Sequence, residues 1–418
     1  MSEAVTTPRL SSAPDAAGVP ELRGDHSLAF LAEGYLFGHR RFERFGTDAF
    51  RTRLLGRELT MLRGHDAARF FYEGELFDRI GAMPRSVLHS LQDEGSVQML
   101  IGPEHLQRKR LFTTMLDEAG DAALADAFAK EWDRAQEVWA EGPISLFAAT
   151  AQVLSDAALR WLRIDESAQR RKLLAQESAA MIDGAGSFGP RNWAGRMRRR
   201  TSERWARETV ERFRSAGAPA GSPLSVLLED ASVSDETAAI ELLNLVRPVV
   251  AVSRFVAFAA LALHQHPTWR DRIRDDEALT RPFSQEVRRT TPFFPAIGGR
   301  ATAHAQWRDV AVRPGDWVAL DLFATNRHPQ EWPDPWTFDP SRFQRDEQSQ
   351  ERIVAQGAGP MDRSHRCPGE PATIGLLDVA VKRIADADWL IPDQSLRVDL
   401  RRLPAVPGSG GMRVRVRS

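Results

Sequence analysis

The stretch that decides the fold is QGAGPMDRSHRCPGEPATIGLLDVAVKRI, which runs from Gln356 to Ile384. A glycine-rich loop precedes Cys367, the only cysteine of the chain, and Pro368-Gly369 then lead into a predicted helix. Backbone N–H groups at a helix start, together with the neighbouring His365 and Arg366, favour the ionised form of a thiol. We therefore expect Cys367 to be a thiolate and not a packed, inert thiol.

A lone cysteine limits the chemistry that is open to this loop. It forms no intramolecular disulfide, and it excludes a cysteine-only metal cluster, which needs several thiolates. A cysteine nucleophile needs a histidine base that a third group orients. His365 lies two residues away on the same loop, and nothing around it resembles that arrangement. A single thiolate ligand to haem iron fits the loop better.

The bulk composition is that of an ordinary globular protein, with 42% hydrophobic residues, 27% charged residues and a net charge of -1. This balance gives no electrostatic reason to expect a nucleic-acid partner. No apolar run reaches the roughly 18 residues that span a bilayer. The polar start lacks the basic flank and apolar core of a signal peptide. We expect a cytoplasmic protein without a membrane anchor.

The periodicity predicts a mainly α protein with small β-sheets. Residues 1–25 are rich in Pro, Ser and Ala and predict a flexible segment, and residues 26–418 show no composition break and predict one domain. Alternation predicts a strand or hairpin over Phe50–Leu62 and a hairpin over Trp307–Leu322. The basic stretch Met197–Ser215 predicts a helix whose charges are a solvated face or a docking surface for an acidic partner.

A long helix is predicted from Ser234 to His266, and its centre reads LNLVRPVVAVS. A buried arginine costs several kcal/mol unless an anion pairs with it, and proline inside a helix removes a hydrogen bond and kinks the axis. Arg247 beside Pro248 therefore needs an anion, which is either a protein carboxylate or a ligand. Arg254 lies at a similar helical phase and is a weaker rival for the same role.

The order of motifs resembles the cytochrome P450 superfamily. Glu286-Val-Arg288-Arg289 is similar to its Glu-x-x-Arg motif, in which Glu286 and Arg289 would form a structural ion pair. Asn326–Phe343, with four prolines, resembles the irregular segment before the cysteine loop, and Cys367-Pro-Gly369 resembles the ligand loop. The resemblance implies a single haem-thiolate domain of the cytochrome P450 fold, with haem b bound through Cys367.

Two departures from the common P450 pattern narrow the resemblance. The loop has Pro360 and Arg363 where most members have phenylalanine and glycine, so it resembles a lengthened loop. Arg247-Pro248 stands where most members carry the acid–alcohol pair that delivers protons during dioxygen activation. Both features resemble the subfamily of fatty-acid peroxygenases, in which this arginine binds the substrate carboxylate.

The resemblance implies a hydroxylase that uses hydrogen peroxide, which already carries the electrons and protons that dioxygen would require. A general acid–base must still move a proton between the two peroxide oxygens. A substrate carboxylate held by Arg247 would do this and would place the α carbon of a long-chain fatty acid nearest the iron, with the β carbon next to it. No obligatory redox partner is then expected. The alternatives are oxidative decarboxylation to a terminal alkene and a monooxygenase that depends on redox partners.

Further site residues follow from the same resemblance. Gln98 falls where the subfamily has glutamine or histidine near the distal face of the haem, and glutamine there is associated with hydroxylation. His105 and Lys109 lie four apart on a predicted helix and would face a haem propionate. His365 is assigned to cofactor binding with them. Phe188 and Phe294 are predicted to line the substrate pocket, and Phe293 is the alternative to Phe294.

Overall fold

The computed structural model describes residues 18–91, 95–187 and 189–416, and it is mainly α with small sheets, as the sequence predicts. The α-helices in chain order are α1 (Ser27–Glu33), α2 (Leu36–Phe45), α3 (His65–Tyr72), α4 (Arg85–Leu91), α5 (Gly102–Met115), α6 (Glu118–Trp139), α7 (Leu146–Leu162), α8 (Ala168–Ala185), α9 (Pro190–Ala216), α10 (Pro223–Glu229), α11 (Asp235–Ala251), α12 (Ser253–Gln265), α13 (Pro267–Asp275), α14 (Thr280–Thr290), α15 (Leu322–Thr325), α16 (Arg342–Arg345) and α17 (Glu370–Asp386). The strands are β1 (Glu21–Asp25), β2 (Ala49–Leu54), β3 (Arg57–Leu62), β4 (Phe77–Asp78), β5 (Ile144–Ser145), β6 (Ala296–Ala301), β7 (Ala305–Trp307), β8 (Val310–Val312), β9 (Trp317–Asp321), β10 (Trp389–Leu390) and β11 (Arg413–Val416).

The largest sheet joins strands from both halves of the chain in the order β1-β2-β3-β9-β6-β4. The predicted hairpin at residues 50–62 is confirmed, since β2 and β3 pair antiparallel with Thr52 opposite Leu59. The predicted hairpin over Trp307–Leu322 is wrong. β8 pairs with β7, whereas β9 lies between β3 and β6. Four of the five residues of β9 are buried, which suits a central strand better than one arm of an exposed hairpin.

The last residues of the predicted flexible N-terminal segment form a strand. Residues 1–17 of the predicted flexible segment lie outside the described residues. Glu21–Asp25, at its end, form β1 and pair parallel with β2 through Glu21 opposite Arg51. The side chains of β1 are mostly exposed, so backbone pairing to a sheet edge orders a segment that carries no apolar periodicity.

The predicted long helix is present as α11 and α12, with Val252 between them. Ser234 caps it by accepting a 3.2 Å hydrogen bond from the Thr237 N–H. Pro248 has no N–H to donate, and the Val252 N–H donates to the Val249 carbonyl, one residue short of the α-helical pattern. The stretch Asp235–Gln265 has the length and composition of a membrane span, but 89% of its most apolar window is buried inside the protein. It is the central core helix of the fold.

The predicted ion pair on α14 is buried at the centre of the molecule. Glu286 and Arg289 are both 0% exposed, with their charged atoms 2.7 Å apart. Arg289 also donates to the main-chain oxygens of Asn326 and Pro335, and Arg342 makes a second pair with Glu286 at 3.3 Å. The pair therefore fastens the irregular, proline-rich segment to the helical core.

A buried carboxyl at the end of β9 leads to a prediction on pH dependence. Asp321 accepts a 2.7 Å hydrogen bond from the Ala324 N–H and lies against Gly38, where a Cβ would overlap its carboxyl oxygen. Burial raises the pKa of Asp321 to about 7 from 3.8. The folded state thus holds a proton that the unfolded state has lost, so the free energy of unfolding falls as pH rises through this range.

Asp321→Asn removes this titration. We expect the variant to gain stability relative to the wild type as pH rises from about 5 to about 8. Urea unfolding of both proteins across this range measures the difference, and parallel curves would contradict the prediction.

Candidate functional site

The loop around Cys367 is folded tightly on itself before α17 begins. The Cys367 N–H donates to the Gln356 carbonyl at 2.8 Å, which closes the loop. Gly357 has a φ of +102°, and a Cβ there would lie 3.1 Å from the Arg366 Cα and 3.0 Å from the Tyr72 ring. Only glycine meets both conditions, so the upstream glycine of the lengthened loop sets the position of the thiol.

Buried charges tie this loop to α14. Glu370 accepts hydrogen bonds from Arg288 at 2.5 Å and from Arg366 at 2.6 Å. Arg288 also donates to the Gln356 side chain at 2.7 Å. Sequence reasoning missed the roles of Glu370 and Gln356, although the four-residue spacing of Arg366 and Glu370 at a helix start was a usable signal.

The protein surroundings of Cys367, without a bound metal, do not lower the pKa of its thiol. Burial raises the pKa of Cys367 and outweighs the hydrogen bond from the Gly369 N–H and the charges of Lys109 and Arg288. The helix start and the cations are present as predicted, but the sequence did not show how completely the thiol is removed from water. A metal ion that coordinates this sulfur would deprotonate it.

Two adjoining cavities meet at Cys367. One, of about 180 Å³, lies against the loop and α5, and we call it the thiol cavity. The other, of about 330 Å³, extends to Arg247 and to α4, and we call it the arginine cavity. Both have Gln98, Pro248 and Cys367 in their walls. An apolar slot therefore separates the sulfur from the centre of α11.

Cationic and imidazole groups line one edge of this slot. The His105 and His365 rings stack with their centroids 4.0 Å apart. Burial, with the charges of Lys109 and Arg79, lowers the pKa of His105 to about 4, and burial lowers the pKa of His365 further. Arg79 is buried in the wall of the arginine cavity, where it donates to the Gly298 carbonyl at 2.9 Å. Sequence reasoning missed Arg79 because no helical spacing links it to the others.

These features fit a haem group. Cys367 would supply the sulfur ligand, the slot between the sulfur and α11 would take the porphyrin, and the cationic edge would hold the two propionates. In this structure Lys109 donates to the main-chain oxygens of Ser364 and Arg366, at 2.6 Å for the latter. Its contact with a propionate, like that of His105 and His365, stays a prediction.

Arg247 and Gln98 lie together in the arginine cavity, joined by a residue that the sequence did not single out. Arg247 is 6% exposed, and its Nη2 donates to the Asn244 Oδ1 at 2.6 Å. The Asn244 amide nitrogen donates to Glu241 at 2.8 Å and to the Gln98 Oε1 at 3.3 Å. This contact turns the carbonyl of Gln98 toward Asn244 and leaves the amide nitrogen of Gln98 as a donor.

Glu241, a carboxylate on α11, is held away from the cavities. Glu241 is fully buried and accepts 2.9 Å hydrogen bonds from the Val97 N–H and from Arg108. It lies in the wall of neither cavity that contains Cys367. Glu241 therefore holds the turn that carries Gln98 and is not placed to act on a ligand.

The rival Arg254 has a structural role. It is 1% exposed, donates to the Ala405 carbonyl at 2.5 Å and lies 3.7 Å from an Asp183 oxygen. It lines none of the cavities described above. The structure thus separates the two arginines of the central helix, with Arg247 facing the cavity and Arg254 facing the C-terminal segment.

Phe293 and Phe294 separate the arginine cavity from a third, apolar cavity of about 160 Å³. Their rings stack with centroids 4.5 Å apart and contribute to both cavities. The apolar cavity reaches Leu31 on α1 and Leu55 at the β2–β3 turn, which are exposed. The predicted pocket residue Phe188 lies outside the described residues.

Comparisons with known proteins agree with this architecture. A family model described as cytochrome P450 matches residues 259–375. The chain is 34% identical to cytochrome P450SP alpha (CYP152B1), solved in complex with (R)-ibuprophen, with a TM-score of 0.89 over 94% of this chain and 98% of that chain.

Two further solved structures have the same fold. Cytochrome P450EX alpha (CYP152N1) with myristic acid is 32% identical, with a TM-score of 0.90 over 96% of this chain and 99% of that chain. A variant of cytochrome P450 OleT in complex with arachidonic acid is 27% identical, with a TM-score of 0.91 over the same shares.

Proposed function

The chain belongs to the cytochrome P450 superfamily and to its CYP152 family, and from that premise we propose that it is a peroxygenase that hydroxylates long-chain fatty acids with hydrogen peroxide. Hydroxylation would fall on the α carbon, with the β carbon as the second position. The observation that carries the proposal is Arg247, a buried cation whose cavity also contains Cys367. Fatty acids in the solved structures of two relatives support the substrate class.

The cofactor would be haem b, held through the Cys367 sulfur. When bound, the haem supplies the iron that cleaves the O–O bond of hydrogen peroxide and delivers one oxygen atom to a C–H bond. The Cys367 thiolate would favour this cleavage by donating electron density. Arg79, Lys109 and the two histidines would hold the propionates at the edge of the slot.

Arg247 would hold the substrate carboxylate by a charge-assisted hydrogen bond and keep it ionised. The donor nitrogen of Gln98 would bind the same carboxylate. The carboxylate would then act as the general acid–base that moves a proton between the two peroxide oxygens. Pro248 and Val249 occupy the following positions of α11, so the protein itself supplies no carboxylate there.

The walls of the cavities favour a long acyl chain. Beyond Arg247 the arginine cavity is lined by Leu88, Leu91 and Phe255, and the apolar cavity continues past Phe293 and Phe294. Anchoring at the carboxylate leaves the first carbons of the chain nearest Cys367. The substrate carboxylate would thereby act as the catalytic acid–base, and its anchoring would determine which carbon is hydroxylated.

The deciding experiment incubates the purified holoprotein with a long-chain fatty acid and hydrogen peroxide in the absence of any reductase. A 2-hydroxy acid supports the proposal, and a 3-hydroxy acid moves the preferred position to the β carbon. An alkene one carbon shorter than the substrate would show that the reaction is oxidative decarboxylation and not hydroxylation. No turnover with peroxide, together with turnover on addition of NADPH and redox partners, would overturn the peroxygenase assignment.

The hydrogen bonds of Asn244 lead to a prediction on substrate binding. Asn244→Leu removes an acceptor of Arg247 and the donor that orients Gln98. We expect the Kd for a long-chain fatty acid to rise about tenfold, because one buried polar contact of this kind is worth about 1.4 kcal/mol. Spectral titration of the haem-loaded protein measures the Kd. An unchanged Kd in a folded variant would show that Asn244 has no positioning role.

A further inference from the structure

The first half of α9 exposes two large apolar side chains among arginines. Trp193 is 62% exposed and Met197, one turn later, is 71% exposed. Arg196, Arg200 and Arg204 are exposed at the spacings that place them on the same helical face. We call these five residues the α9 patch.

The opposite face of α9 is buried. Asn192, Gly195 and Ser202 are buried where the helix packs on α8 and α11. The fit at Gly195 is close, because a Cβ there would lie 2.9 Å from the Ser90 hydroxyl of α4. The α9 patch is therefore the outer face of a firmly seated helix, and its apolar side chains have no core to enter.

The α9 patch is rich in positive charge, and Arg196 in it contacts the His89 ring of α4 at 2.6 Å. Between Pro190 and Arg204 the only acidic residue is Glu203, and Arg199 pairs with it at 2.6 Å. Among the described residues, neither Arg200 nor Arg204 lies within ion-pair distance of a carboxylate. This exposed face offers cationic side chains to anionic headgroups and apolar side chains to the boundary between headgroups and acyl chains, the two attractions that hold helices in a membrane interface.

The α9 patch lies on the side of the protein where α4 lines the arginine cavity. Arg199, on the inner side of α9, donates to the main-chain oxygens of Leu88 and His89 on α4. Leu88 and Leu91 of α4 line the arginine cavity. The loop of Cys367 contacts other elements, through Tyr72, Lys109 and Arg288. A partner on the α9 patch would therefore lie near the α4 wall of the arginine cavity and not near the Cys367 loop.

We propose that the α9 patch docks the protein on an anionic lipid surface. The arginines would lie at the headgroups, where each gains from the negative surface potential. Trp193 and Met197 would enter the boundary between headgroups and acyl chains. Docking goes beyond the proposed function and is measured without turnover. The further idea that the protein collects fatty acids from that surface rests on the proposed function.

Co-sedimentation of the full-length holoprotein tests the proposal. The probes are vesicles of equal parts phosphatidylglycerol and phosphatidylcholine, with phosphatidylcholine vesicles as the neutral comparison. We expect binding to the anionic vesicles only, weakened by salt. Arg200→Gln with Arg204→Gln should lower the partition coefficient about thirtyfold, and Trp193→Gln with Met197→Gln should also lower it.

Matched substitutions elsewhere serve as controls. Arg313→Gln with Arg401→Gln changes two exposed arginines, and Val138→Gln changes an apolar side chain that is 61% exposed. These variants should bind as the wild type does. Equal losses in the control variants, or no binding to anionic vesicles, would overturn the proposal. So would binding of an acidic ferredoxin-type protein that needs Arg200 and Arg204 while vesicles do not bind.

Discussion

Replacing Arg247 by leucine is expected to lower kcat/KM for a long-chain fatty acid with hydrogen peroxide by about 10²- to 10⁴-fold. The substitution removes the charge that would anchor the carboxylate, and the carboxylate is the proposed acid–base, so one change removes both binding and proton transfer. Leucine also suits the apolar slot, which limits the loss of stability. Initial rates of product formation at several fatty-acid concentrations measure the effect.

Two comparisons separate the roles of Arg247. Arg247→Lys keeps the charge but loses the bidentate geometry, so it should retain part of the affinity and lose regioselectivity. Addition of acetate should allow the wild type to oxidise substrates that lack a carboxyl group, because acetate then supplies the acid–base. Fatty-acid turnover that survives Arg247→Leu would remove Arg247 from the mechanism.

Glu286→Gln is expected to lower the free energy of unfolding by about 3–5 kcal/mol. Glu286 and Arg289 are both fully buried, and the neutral amide leaves the Arg289 guanidinium without its counter-charge. Arg342, the second cation at this carboxylate, loses its partner as well. Denaturant unfolding of the holoprotein measures the change.

An exposed ion pair provides the control for Glu286. Arg345 lies 2.7 Å from Asp339, and its side chain is 62% exposed. Arg345→Gln should change stability by less than about 1 kcal/mol, since water already solvates this charge. Similar losses in the two variants would mean that burial of the Glu286 pair has no special effect.

The sequence predicted the parts of the molecule whose signals are local. The helix after Cys367, the ion pair on α14 and the helix from Ser234 all depend on residues within a few positions of each other, and the structure contains all three. The relation of Arg247 to the cysteine also followed, because the family resemblance brought the two segments together.

The parts that could not be predicted depend on distant partners. β9 reads as one arm of a hairpin, but its strand partners start at residues 57 and 296, and only tertiary packing selects them. Arg79, the residue after the short strand β4, reaches the cationic edge from a position far from α5 in the sequence. The pKa of Cys367 depends on how much of the chain covers the sulfur, which no local pattern reports.

Asn244 touches both groups that would bind the carboxylate, and this has a consequence for protein engineering. A change from glutamine to histidine at position 98, made to redirect the product, would also alter the hydrogen bonds of the amide that holds Arg247. Product choice and substrate affinity would then shift together. Double-mutant cycles across positions 98, 244 and 247 should show non-additive effects, so a useful library varies these three positions jointly.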